Sequence, residues 1–344
     1  MGIVATPGRP VFSSVASDDN SCWRESLRRA FRDSGELGAF LGLPRGWENR
    51  LKSGDAEFPL FVPREYAARM RRGDLEDPLL RQVLPLAIED ASQPLASLDP
   101  VGDAQAQRLP GLLQKYRSRV LLVVSGACAI HCRYCFRRHF SYATAPHSLD
   151  QWAPAFAEIE QDTSLREVIL SGGDPWMLVD ELLARLIQRL AEIKHLVRLR
   201  IHTRLPIVVP QRVTESLLAG LTSTRLTPVV VIHANHAAEL DAETSASIAR
   251  LRAAGVTLLN QAVLLRGVND CFASQHALCE RLVDNGVLPY YLHQLDRVAG
   301  AMHFEVPIDE GRKIMAQLRE HLPGYAVPRY VQEIAGEAHK RILA

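Results

Sequence analysis

Six short apolar runs rich in β-branched residues recur along the chain, at 120–124, 168–170, 197–202, 228–233, 256–265 and 288–292. Most successive runs begin about 30 residues apart, the length of one strand-plus-helix unit. The segments between them carry helical patterns. In 180–193, for example, leucines recur at helical spacing with charges on the opposite face. Units of this kind imply a parallel sheet, because joining parallel neighbours takes a crossover long enough to hold a helix. The expected fold is therefore α/β: a partial parallel (β/α)6 barrel across 106–344, with a helical and irregular N-terminal region at 1–105 and a short C-terminal tail. Chemistry in such barrels gathers at the C-terminal ends of the strands. Cys128, Gly172, His202, His233, Gln261 and Asp296 all fall near or shortly beyond such runs.

Residues 1–105 lack the recurrence. Helix-like amphipathic patterns occupy 26–31 and 67–70, and breakers at Gln93-Pro94 and Asp99-Pro100 interrupt the stretch 90–100. No chemistry is visible there, and the region reads as scaffold or partner surface. The start, Met1 to Pro7, has no charged segment followed by an apolar core, so a secretory signal is not expected. No apolar run reaches the roughly 18–20 residues that span a bilayer. With 47% hydrophobic and 23% charged residues, the 344-residue chain has the composition of a soluble globular protein. Its net charge of +1 argues against holding nucleic acid by bulk electrostatics. Cys22, Cys271 and Cys279 show no pairing pattern, which fits a reducing cytoplasm.

The other three cysteines form one C-x3-C-x2-C run, Cys128, Cys132 and Cys135. Three thiolates are one fewer than a [4Fe–4S] cluster has irons. The iron left over can bind and activate a small molecule. Structural zinc commonly takes four ligands, often in two separated C-x2-C pairs. His131 lies between two of the ligand positions, where it could not easily join the same tetrahedron. The spacing thus favours iron–sulfur over zinc. Downstream stands Leu170-Ser171-Gly172-Gly173-Asp174-Pro175. Glycines after a strand let backbone groups approach a ligand closely, although a Gly-Gly-Asp string alone is usually a turn.

Together, the cysteine spacing and the glycine-rich element resemble those of the radical S-adenosylmethionine enzymes. From about Leu112 to Lys340 the chain is similar to the lysine 2,3-aminomutase family. The strings that carry this are 115–122 (Lys-Tyr-Arg-Ser-Arg-Val-Leu-Leu), 132–138, 171–174, 260–270 and 289–292. Its tail, with Gly336-Glu337-Ala338-His339-Lys340, is similar to the branch that modifies translation elongation factor P. The resemblance implies a [4Fe–4S] cluster on Cys128, Cys132 and Cys135 whose open iron chelates S-adenosylmethionine. Gly172, Gly173, Asp174, His233 and Gln261 would line that ligand's site. It further implies pyridoxal phosphate held as a Schiff base by Lys340, with Arg119 at its phosphate and Lys115 and Tyr116 beside it. Arg137 would clamp the substrate carboxylate, a bidentate task that suits guanidinium. Asp296 and Glu333 would embrace the distant ammonium of lysine, glutamate standing where lysine aminomutases carry aspartate.

Read without the resemblance, the same residues look ordinary. Lys340 would be a solvated tail residue, Arg119 and Lys115 surface charges before a strand, Arg137 one of a basic Arg137-Arg138-His139 cluster, and His233 and Gln261 satisfied core groups. The implied activity converts L-α-lysine to β-lysine, in the R form by its branch, through radical 1,2-amino migration. Its product would modify elongation factor P, which links it to the ligase acting there, and an electron donor such as flavodoxin or ferredoxin would reduce the cluster. The zinc-binding cysteines and extra C-terminal segment of the catabolic enzymes are absent, so their zinc-linked oligomer is not expected. Two other readings stay open. A glutamate aminomutase would want a cation where Asp296 and Glu333 stand, and a non-catalytic iron–sulfur carrier would leave Lys340 and Arg119 without a task.

Overall fold

The computed structural model describes residues 19–52, 58–91, 94–142 and 145–344. The N-terminal stretch read for a signal and the breaker residue Gln93 lie outside them. Ten strands appear in chain order: β1 (Gln107–Leu109), β2 (Leu112–Leu113), β3 (Arg119–Ser125), β4 (Glu167–Gly172), β5 (Arg198–Thr203), β6 (Thr227–His233), β7 (Thr257–Val263), β8 (Leu288–His293), β9 (Arg329–Gln332) and β10 (Arg341–Ile342). They form one sheet in sequence order. Strands β3 through β9 are all parallel. An antiparallel hairpin, β1–β2, flanks β3, and β10 turns back antiparallel on β9. No pairing joins β1 to β10 among the described residues, which makes a partial barrel.

The six apolar runs coincide with β3 to β8. The sheet then continues past the expected six parallel strands. β9 is a further one, only four residues long, with Arg329 and Gln332 at its ends. A run that short and polar-ended carries no period that sequence reading can detect.

Helices cover the outer face for the reason the pattern gave. In Asp180–Glu192 the residues Leu183, Leu186, Ile187 and Leu190 are buried, a stripe at helical spacing. The helix Leu149–Gln161 starts where Ser148 accepts a hydrogen bond from the Gln151 amide. Ala242–Ala253 starts in the same way at Asp241, which accepts from the Thr244 amide.

The N-terminal region is short helices and turns, beginning with Asp19–Arg28 and Ser34–Leu41. It shares the barrel's core. Trp23, Phe31, Leu37, Tyr66 and Leu79 belong to one continuous buried cluster with Trp176, Leu205 and Val209. Polar attachments also reach the cysteine loop that follows β3. Glu89 is fully buried and accepts from Arg133 Nε at 2.8 Å and from Arg138 Nη2 at 2.9 Å. The Arg133 amide donates to Gln82 O at 2.8 Å, and the His131 amide to Phe61 O at 3.1 Å.

Removing the Glu89 carboxylate takes the anion away from two buried guanidiniums. Breaking such a pair from one side costs about 3–5 kcal/mol. Glu89→Ala is therefore expected to lower the urea midpoint of unfolding by the equivalent of that amount, read by circular dichroism.

Candidate active site

The C-terminal ends of the parallel strands open onto one cavity of about 800 Å³. On one wall stand Cys128, Cys132 and Cys135, all unpaired as disulfides and all part-buried. Tight turns shape this loop: the Cys135 amide donates to Cys132 O at 3.0 Å and the Arg138 amide to Cys135 O at 3.1 Å. Burial pushes the Cys135 thiol up to about 11, with Cys132 adding to it, and burial raises the Cys128 thiol as well. Iron must therefore displace protons as it binds. No three His, Cys, Asp or Glu side chains among the described residues converge on a single metal ion. The C-x3-C-x2-C spacing of the three cysteines suits a cluster, in which each thiolate ligates a different iron.

The glycines after β4 have a task beyond admitting a ligand. Gly172 sits at φ +126°, and a Cβ there would lie 2.4 Å from Ser125 O; one on Gly173 would lie 2.3 Å from Ala127 O. Close approach lets the Gly173 amide donate to Ser125 O at 2.7 Å and the Asp174 amide to Ala127 O at 2.8 Å. Only glycine lets the cysteine loop dock on this turn. Asp174 accepts from the Trp176 and Arg204 amides at 3.0 and 2.7 Å and from Thr203 Oγ1 at 2.8 Å. Burial nevertheless pushes its carboxyl up to about 6, against those bonds.

Next to the thiols, His233 ends β6 and pairs in register with Gln261 of β7. His233 Nε2 lies 2.7 Å from Tyr134 Oη, which also accepts from Asn235 Nδ2 at 2.7 Å. Burial pushes His233 down to about 3, so the ring is neutral and reads polar partners rather than anions.

The C-terminal tail supplies another part of the lining. Because β10 pairs back on β9, with Arg341 opposite Gln332, Lys340 returns to the cavity. Its side chain is 25% exposed, and its ammonium is ion-paired with Glu333. Glu333 also accepts from Tyr116 Oη at 2.6 Å and has Lys115 Nζ at 3.8 Å. Burial would raise the Glu333 carboxyl, but Lys340 and Tyr116 hold it below its usual range. Asp103 lies between two cations, 2.7 Å from Lys115 Nζ and 2.7 Å from Arg137 Nε. Arg137 Nη1 donates to Ser171 Oγ at 3.1 Å. The Arg119 guanidinium packs over the Tyr116 ring, 4.6 Å from its centroid. Burial pushes the Asp296 carboxyl up to about 7, although Lys340 works in the other direction.

Every residue singled out from sequence as a site residue lines this one cavity: Lys115, Tyr116, Arg119, the three cysteines, Arg137, Gly172, Gly173, Asp174, His233, Gln261, Asp296, Glu333 and Lys340. Two have partners the sequence did not foretell. Arg137 is half engaged by Asp103 and Ser171, and Glu333 meets Lys340 itself. Sequence reading missed Asp103, Tyr134 and Arg204. Asp103 follows a Gly in a turn-rich stretch and gives no signal. Arg204 follows the end of β5 directly, so the strand-end rule that flagged His202 could have found it.

Residues 116–199 match the family described as "4Fe-4S single cluster domain". An L-lysine 2,3-aminomutase of Escherichia coli (strain K12) is 45% identical over 303 residues, spanning 88% of this chain and 83% of that protein. The enzyme of the same name from Haemophilus influenzae is 42% identical over 304 residues, 88% of this chain and 84% of that one. The one from Clostridium subterminale is 33% identical over 332 residues, 96% and 79% of the two. Among solved structures, a radical SAM methyltransferase from Sphaerobacter thermophilus superposes loosely, with TM-score 0.44 and 19% identity over 64% of this chain and 68% of that one.

The thiol arrangement predicts that alanine at Cys128, Cys132 or Cys135 abolishes most of the charge-transfer absorbance of anaerobically reconstituted protein. Alanine at Cys22, Cys271 or Cys279 should leave it unchanged. A cluster that survived loss of one of the first three would exclude that thiol as a ligand.

Proposed function

Because this chain belongs to the lysine 2,3-aminomutase family of radical S-adenosylmethionine enzymes, we propose that it moves the α-amino group of L-lysine to the neighbouring carbon, giving β-lysine. One observation carries the reading. Three thiols at cluster spacing and a part-buried lysine ion-paired to a carboxylate, far apart in sequence, line the same chamber. An electron carrier has no use for the second feature.

When bound, the cluster and S-adenosylmethionine supply a carbon radical, and pyridoxal phosphate carries the migrating nitrogen. The chain's own residues fit these groups. Cys128, Cys132 and Cys135 would ligate three irons, and Gly172, Gly173, Asp174, His233 and Gln261 would line the S-adenosylmethionine site. Lys340 presents an amine to the chamber, and the carboxylate of Glu333, oriented by Tyr116, can hold or take its proton. Arg119, with Lys115 and Tyr116 beside it, offers the cationic fork that a phosphate needs.

The substrate's two charged ends find complementary groups. Arg137 has five donors, of which Asp103 and Ser171 engage Nε and Nη1 and lock the fork in place. The remainder can meet the α-carboxylate. Asp296 would meet the distant ammonium. Glu333 would serve that ammonium as well once Lys340 is engaged elsewhere. Two anions at this end are the wrong charge for a glutamate side chain, which weighs against a glutamate aminomutase.

The product's destination, in our reading, is modification of translation elongation factor P by a partner ligase, with flavodoxin or ferredoxin as the electron source. The tail around Lys340 supports this branch. Among the described residues no helix is long and apolar enough to cross a membrane.

Anaerobic reconstitution followed by mass analysis of products from labelled lysine tests the activity, and β-lysine is the expected product. Full cofactor loading with lysine returned unchanged would refute it. Borohydride treatment should attach the pyridoxyl group to the peptide holding Lys340 and to no other.

Asp296 gives the reading a pH signature. A carboxyl titrating at about 7 loses its charge as pH falls through that value, so the KM for lysine should rise on the acid side. Asp296→Asn should abolish this dependence and lower kcat/KM by the equivalent of about 2–5 kcal/mol, with cluster and pyridoxal phosphate content unchanged.

A further inference from the structure

Arg204 is the residue immediately after β5, and its side chain is 7% exposed. Its Nη1 donates to Cys132 Sγ at 2.6 Å. From the other nitrogen, Nη2, it donates to Glu239 Oε2 at 2.9 Å, Gln82 Oε1 at 2.7 Å and Tyr66 Oη at 3.2 Å. The backbone is fixed as well, since the Arg204 amide donates to Asp174 at 2.7 Å.

Glu239 is fully buried and held in its turn. Its Oε1 accepts from the Asn235 amide at 2.9 Å, the His236 amide at 3.1 Å and Gln82 Nε2 at 3.1 Å. The result is a rigid wire of charge with a carboxylate at one end, a guanidinium in the middle and a sulfur at the other. A structural ion pair between Arg204 and Glu239 would not require the sulfur. The guanidinium reaches past its carboxylate to donate to one particular thiol of the three.

Reducing an iron–sulfur cluster adds one electron whose charge spreads onto the ligand sulfurs. Hydrogen bonds to those sulfurs favour the reduced state and so raise the potential. A charged donor does this more strongly than a neutral one, and the burial of the Arg204 and Glu239 side chains preserves the effect. The carboxylate behind the guanidinium sets how much of its positive charge reaches the sulfur.

We propose that Arg204 is a positioning residue that raises the reduction potential of the cluster through Cys132, and that Glu239 limits the increase. The proposal rests on Cys132 being a cluster ligand. The electron itself comes from the protein donor of the proposed activity, and no bond is made or broken in this step. In a cluster that must be reduced before S-adenosylmethionine can be cleaved, the pair sets how readily a weak physiological reductant suffices.

The two ends of the wire make opposite predictions, which separates tuning from damage. The midpoint potential of the reconstituted cluster is read by redox titration with electron paramagnetic resonance, without substrate. Arg204→Gln should lower it by at least the equivalent of a tenfold change in the reduced-to-oxidised ratio, about 59 mV for one electron. Glu239→Gln keeps the shape of the side chain, leaves the guanidinium uncompensated and should raise the potential. Arg204→Lys keeps the charge and should fall between wild type and Arg204→Gln. Potentials that stay at the wild-type value, or that move the same way in the Arg204→Gln and Glu239→Gln proteins, would overturn the proposal. If Arg204→Gln assembles no cluster, the rise in Glu239→Gln alone decides. Loss of the cluster in both variants would make the network purely structural and would equally overturn it. A cluster that persists in Cys132→Ala is a different failure, that of the ligand assignment.

Discussion

Buried charge around the cysteine loop is the constraint on which the rest of the structure depends. The loop that carries Cys128, Cys132 and Cys135 is neither strand nor helix, and its three thiols, the candidate cluster ligands, all face one cavity. Its backbone groups therefore need partners outside regular structure. Gln82 and Phe61 supply carbonyls to the loop's amides on one side, Phe58 supplies one to the Arg133 guanidinium, and the glycine turn after β4 pairs with Ser125 and Ala127 on the other. Glu89 then fixes the loop against the N-terminal region through Arg133 and Arg138. Desolvating one carboxylate and two guanidiniums is costly, and the pairing offsets that cost only in one geometry. Such a contact specifies the loop's position more than it adds to stability. The N-terminal region is thus part of the cluster's setting: it supplies Glu89, Gln82 and Tyr66 as well as apolar cover.

Around the tail, charges of opposite sign alternate through space, from Arg137 to Asp103 to Lys115 to Glu333 to Lys340. Each group borders one of opposite sign, so the cavity lining carries its charges without large unpaired fields. A ligand bearing both a carboxylate and an ammonium can enter such a chain by exchanging partners rather than by creating new isolated charges. Asp296 stands outside the chain. Burial leaves its carboxyl at about 7, a group in want of a cation. Among the described residues no ion pair links the Arg204–Glu239 pair beside Cys132 to the chain of charges that ends at Lys340.

What could be read from sequence and what could not divides along the range of the forces involved. The alternation of apolar runs and helical stripes is local, and each strand from β3 to β8 announces itself in its own residues. The β9 strand does not, because four residues with polar ends carry too little pattern, and β10 exists only because β9 is there to pair with it. The cysteine spacing is local too, and so is the glycine string, although its reason lies in the backbone of another segment, which reaches within 2.3 Å of where a side chain would begin.

Buried ion pairs behave differently. Nothing in a sequence distinguishes Glu89 from a surface glutamate, since its partner Arg133 lies 44 residues away, nor Asp103 from the aspartates of an ordinary turn. By itself the sequence determined the six runs that form β3 to β8 and, through their spacing and the matching strings, the three candidate ligands and the candidate lysine in the tail. Tertiary structure alone decided that Lys340 returns to the chamber and meets Glu333, that Arg137 is held by Asp103, and that Arg204 reaches Cys132. These are long-range contacts between charged groups, whose partners are chosen by desolvation and geometry in the folded chain and leave no periodic trace along it.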